Sequence, residues 1–87
     1  MTEFFFVYII KSLSTGKHYI GHTHNLTDRI KRHNENRSDY TKNKGPWELV
    51  ISYPCNSKKE AAQLEFKLKK FKNYRKAILY LNKLAQG

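Results

Sequence analysis

An 87-residue chain with 17 Lys and Arg against 7 Asp and Glu, a net charge of +10, is long enough for one domain, residues 1–87, and too short for two. Only 39% of it is hydrophobic but 14% is aromatic, so a thin core has to be built from a few large rings. The charge opposes compaction and points to an anionic partner, nucleic acid first and an acidic membrane surface second, while the lone Cys55 excludes an intrachain disulfide and a Cys-rich metal site and fits a reducing cytoplasm.

Phe4 to Ile10 is apolar, aromatic and β-branched, and it lies between Glu3 and Lys11. It is far too short to span a bilayer and lacks the basic start of a signal peptide, so a buried strand is expected. Ser12 to Gly16 is turn material, and Lys17 to Gly21 reads as a second strand. The resulting β-hairpin brings Tyr8 and Tyr19 near each other. Asn25 or Thr27 caps a helix running to about Asn34, with Leu26 and Ile30 on its buried side. Arg29 and His33, four residues apart, share a neighbouring face of that helix.

Asn34 to Gly45 is polar, basic and aperiodic, and reads as a loop. Trp47 to Tyr53 alternates as a third strand, ended by Pro54. Ser57-Lys58-Lys59-Glu60 is a capping box, followed by Ala61, Leu64, Leu68 and Phe71 at helical spacing. Asn73 interrupts, and Ala77, Ile78, Leu81 and Leu84 mark the inner side of a third helix. The predicted fold is α+β: a small three-stranded antiparallel sheet flanked by helices, in the order β-β-α-β-α-α.

Glu65 departs from this pattern. At helical spacing it falls between Ala61 and Leu68, near the centre of the apolar stripe. Desolvating a lone carboxylate is expensive, so a cation is expected beside it, either a bound metal or a nearby Lys or Arg. Nine of the 17 basic residues lie between Lys58 and Lys83, spread over several helical faces, so they cannot all meet one duplex. Arg37, Lys42 and Lys44 in the loop, with Lys17 and Lys69, are the candidates for phosphate-backbone contacts. His22, His24 and His33 form only a weak zinc pattern.

Phe6-Val7-Tyr8 followed by Tyr19-Ile20-Gly21 resembles the signature of the GIY-YIG nucleases, with Phe6 in place of the leading glycine. Asn25-Leu26, Arg29 and His33 resemble the family's helix motif, and Glu65 falls where the family carries its metal-binding glutamate. Tyr40-Thr41-Lys42 and Trp47-Glu48-Leu49-Val50 resemble a small standalone branch, similar to the nuclease domain of the incision subunit of bacterial excision repair. The resemblance covers roughly residues 4 to 76. Many catalytic members carry a further asparagine late in the domain; Asn73 and Asn82 match it by type but not by context.

The resemblance implies a metal-dependent endonuclease acting on DNA, with RNA the less favoured substrate. The implied site residues are Tyr8, Tyr19, Arg29, His33 and Glu65. Glu65 holds Mg²⁺ or Mn²⁺, Arg29 binds the scissile phosphate, and one of the two tyrosines acts as general base. His33 contacts phosphate or shuttles a proton. No base-reading helix is evident, so substrate structure or a protein partner has to supply specificity, in repair or another setting. The alternatives are a nucleic-acid-binding module with an inactive site and an interaction domain whose charge serves a protein partner.

Overall fold

Val7, Tyr8, Ile9 and Ile10 are all fully buried, a pattern that requires a strand covered on both faces. In the computed structural model, which describes residues 4–38 and 40–86, that strand is the middle of a three-stranded antiparallel sheet. β1 (Phe5–Ser12) lies between β2 (His18–Thr23) and β3 (Trp47–Cys55). Helix α1 (Leu26–Asn34) covers one face, and α2 (Lys58–Lys69) with α3 (Tyr74–Ala85) covers the other. The element order is the expected β-β-α-β-α-α.

Side chains alternate along β1 and so divide the core. Val7 and Ile9 pack with Ala61, Leu68, Ala77 and Leu81 under α2 and α3. Tyr8 and Ile10 pack on the other face with Trp47, Leu26 and Ile30. The third strand departs from the simple alternation read from its sequence. Ile9 pairs with Ile51 but Ile10 pairs with Leu49, so Val50 is an extra residue that makes a β-bulge. The bulge reverses the parity of the strand. Trp47 therefore joins the α1 side, whereas Tyr53 and Cys55 join the α2–α3 side. The strand also continues through Pro54, which pairs with Phe6. An edge strand has one unpaired row, where the missing N–H of proline is tolerated.

The helix starts are fixed by side chains. Asn25 caps α1 by accepting from the Asp28 N–H at 3.0 Å. Ser57 caps α2 by accepting from the Glu60 N–H at 3.1 Å, while the Glu60 carboxylate accepts from the Asn56 N–H, one residue further back than an ideal capping box. Asn73 both ends the α2 segment and caps α3, its side chain accepting from the Arg75 N–H at 2.8 Å.

Gly16, at φ 75°, closes the β1–β2 turn in a conformation that favours glycine. The hairpin register sets Tyr8 opposite Gly21 and Ile10 opposite Tyr19. Opposed residues share a face, so the Tyr8 phenol lies directly over Gly21. A Cβ on Gly21 would sit 2.6 Å from the Tyr8 hydroxyl oxygen and 2.8 Å from Cζ. Gly21→Ala is therefore expected to cost about 1–3 kcal/mol through overpacking. Urea unfolding measures it, and an unchanged midpoint contradicts this close approach.

Candidate active site

Because β2 is an edge strand, groups from opposite faces of the sheet can meet around it. Glu65 comes from α2 on one face and Arg29 from α1 on the other, and both line a hollow of about 470 Å³ over Tyr19, Gly21 and His22. The structure thus brings Tyr19, Arg29 and Glu65 together, with Tyr8 directly beneath, its ring 6.4 Å centre to centre from that of Tyr19.

The Glu65 carboxylate is 18% exposed and has a partner on each oxygen. Oε1 lies 2.7 Å from Nδ1 of His22, and Oε2 accepts from Nζ of Lys69 at 2.8 Å, one turn along α2. The ion pair holds the Lys69 ammonium above its ordinary pKa. Cationic company for this residue was legible from its place on the apolar stripe. The sequence offers His22 only as part of a weak zinc pattern. It is findable in retrospect, because the residue after Gly21 faces α2, opposite Val7.

Tyr8 and His33 form a buried pair. The Tyr8 hydroxyl lies 2.9 Å from Nε2 of His33, and Nδ1 of His33 lies 2.7 Å from the Thr41 hydroxyl. All three residues are 1% exposed or less. Burial, then the Arg29 and Arg32 charges, push His33 down to about 4, so at neutral pH it is an uncharged imidazole with one donor and one acceptor nitrogen. Burial first, and Tyr19 next, raise the Tyr8 phenol to about 12. Direct contact between His33 and a phosphate is thereby excluded in this conformation, since the ring is enclosed and both its nitrogens are engaged. A proton-handling role through Tyr8 is compatible with the geometry.

The basic candidates are dispersed. Lys69 is bound to Glu65. Arg37 pairs with Glu35 at 2.9 Å and lines a second hollow, of about 290 Å³, with Arg29 and Arg32. Lys44 Nζ lies 5.7 Å from the ring centre of Tyr40. Lys17, in the hairpin turn, and Lys42, in the loop, are exposed and do not line the Glu65 hollow. Asn73 caps α3 through its Oδ1 and does not line the Glu65 hollow.

A divalent cation fits this donor set only in one way. Among the described residues no group of three His, Cys, Asp or Glu is placed to hold a metal, and His33 is turned away from His22, which excludes the zinc cluster. A carboxylate has about four lone-pair sites, so two hydrogen bonds leave acceptor capacity on Glu65. An ion that keeps most of its waters and takes one protein oxygen, as Mg²⁺ does, suits that arrangement.

The fold around this hollow is one that known proteins share. The model of the GIY-YIG catalytic domain matches residues 4–77, and the chain belongs to the GIY-YIG family. It is 34% identical over 74 residues to UPF0213 protein YazA of Bacillus subtilis, covering 84% of this chain and 74% of that protein. UPF0213 protein CPE1444 of Clostridium perfringens is 37% identical over 79 residues, covering 90% and 84%. The solution NMR structure of UPF0213 protein BH0048 from Bacillus halodurans aligns with a TM-score of 0.54 at 32% identity, covering 88% of this chain and 82% of that one. No helix among the described residues is long and apolar enough to cross a membrane.

The low His33 value has a consequence for folding. Its pKa is about 4 in the folded state and near 6.5 when unfolded, so the unfolded chain binds more protons between those values. The stabilisation is complete above pH 6.5 and is lost as pH falls towards 4, amounting to about 3 kcal/mol over that window. His33→Gln is expected to be less stable at pH 7 and to show a shallower pH dependence from 6.5 to 4 in urea unfolding. Equal slopes for the two proteins contradict the assignment.

Proposed function

We propose that this protein is a metal-dependent endonuclease that hydrolyses phosphodiester bonds in DNA, directed by substrate structure or by a protein partner. The observation that carries this reading is the meeting of Glu65 and Arg29 in one hollow although their helices cover opposite faces of the sheet. Packing alone has no need to bring a carboxylate and a guanidinium around an edge strand to a bare glycine.

Arg29 is suited to hold two oxygens of the scissile phosphate, because its guanidinium stays charged and matches that geometry. Glu65 would hold Mg²⁺ or Mn²⁺. When bound, the ion supplies Lewis-acid relief of charge on the phosphate and the leaving oxygen. Tyr19 lines the hollow and would orient the attacking water. Tyr8 is enclosed and keeps its proton at neutral pH. It is a positioning residue, held by His33 and itself supporting Tyr19 and Gly21. The water oxygen bonds to phosphorus as it gives a proton to a base at the hollow, the P–O bond to the leaving oxygen breaks, and that oxygen takes up a proton from solvent in exchange.

One observation favours a second reading, a nucleic-acid-binding module without turnover. Both oxygens of Glu65 are engaged, by His22 and by Lys69. Cleavage of duplex, nicked, branched and single-stranded substrates with Mg²⁺ or Mn²⁺ separates the two. The nuclease reading expects cutting by the wild type, none by Glu65→Gln, and roughly 10²–10³-fold slower cutting by Arg29→Ala. Absence of cutting by the wild type on every DNA, or equal cutting by Glu65→Gln, overturns it.

A further inference from the structure

Next to the candidate site is a hollow of about 280 Å³ that shares Tyr19 with it. Its size is just below that of ordinary ligand pockets, and its walls are largely aromatic. Tyr40, 75% exposed, approaches the Tyr19 ring at 5.7 Å centre to centre. Tyr74, the first residue of α3, is 39% exposed and stacks on His18 at 4.7 Å with 20° between the planes. Lys69, the partner of Glu65, completes the wall. Arg29 also lines the hollow of Arg32 and Arg37. The Glu65 hollow thus shares one wall, Tyr19, with the tyrosine-lined hollow and another, Arg29, with the arginine-lined one.

Tyr40 is presented by a fixed stretch of loop. The neighbouring Thr41 is 1% exposed, its hydroxyl bonds His33, and its carbonyl accepts from the Trp47 indole at 3.3 Å. The Lys44 ammonium donates to the Tyr40 carbonyl at 3.3 Å and stays near the ring. A surface ring held by its neighbours loses little freedom when it is covered. Exposed aromatic faces with ammonium groups beside them suit one chemistry well, a nucleobase to stack and phosphates on either side of it. A duplex encloses its base faces and offers only its backbone to such a surface.

We propose that the hollow of Tyr19, Tyr40 and Tyr74 binds an unpaired base beside the phosphate at Arg29, so that the protein acts on single-stranded nucleic acid rather than on uninterrupted duplex. This rests on the nuclease reading and adds the substrate class to it. The same strand continues past Arg29 over Arg32 and Arg37.

Fluorescence anisotropy with a labelled single-stranded DNA, the same sequence as RNA, and a blunt DNA duplex tests it, without divalent metal so that binding is read apart from cleavage. One or both single strands are expected to bind roughly tenfold tighter than the duplex. Tyr40→Ala and Tyr74→Ala should each weaken single-strand binding roughly five- to a hundredfold, with little change for duplex, and Tyr40→Phe should restore it. Phe66→Ala, which removes an exposed ring outside the hollow, serves as the control and should change nothing. Equal affinity for single strand and duplex, or full single-strand affinity in Tyr40→Ala, overturns the proposal. The DNA and RNA arms tell which sugar is accepted. Tyrosine-dependent single-strand binding without metal-dependent cutting would remove the turnover and leave the base site standing.

Discussion

The hydrogen bond between Tyr8 and His33 joins the central strand, the first helix and, through Thr41, the loop that follows it. Tyr8 belongs to the central strand, His33 to α1, and the second nitrogen of His33 carries the link on to Thr41 in the loop. Each end is buried, so breaking the chain leaves an unsatisfied polar group inside, at a typical cost of about 1–3 kcal/mol. With α1 seated in this way, Arg29 stands one turn from His33 and reaches the edge of the sheet. With Thr41 seated, Tyr40 is held over Tyr19. The positions of both charged and aromatic groups around the hollow depend on a pair that does not itself line it.

The edge position of β2 supplies the second requirement. A site on one face of so small a sheet would draw on one layer of helix. Around an unpaired edge, α1 and α2 both contribute, and the missing side chain of Gly21 leaves room for the Tyr8 phenol next to them. The Tyr19-Ile20-Gly21 segment is thus constrained residue by residue. Tyr19 faces the hollow, Ile20 is buried under α2 and α3, and Gly21 yields to the Tyr8 phenol.

Much of this was legible in the sequence because it follows from periodicity. The helix stripes, the caps at Asn25 and Ser57 and the continuous apolar run of β1 each carry a local signal. Glu65 stood out because a carboxylate on an apolar stripe demands a cation, and Lys69 and His22 answer that demand. What stayed hidden was non-local. The bulge at Val50 depends on the pairing of β3 with β1 and leaves no mark in composition. Arg29 and His33 read as one face, yet four residues overshoot a helical turn by about 40°, enough to put His33 inside and leave Arg29 at the rim. Thr41 in a polar loop gives no hint that its hydroxyl is buried against His33.

The proposed cleavage depends on the Glu65 hollow taking a divalent cation beside Arg29 and Tyr19. Paramagnetic broadening by substoichiometric Mn²⁺ in NMR spectra tests it without any assumption about substrate. Early loss of the Glu65, His22 and Gly21 amide signals is expected, abolished in Glu65→Gln. Broadening centred elsewhere, on Asp28 or Glu60 for example, and unchanged by Glu65→Gln, would contradict it.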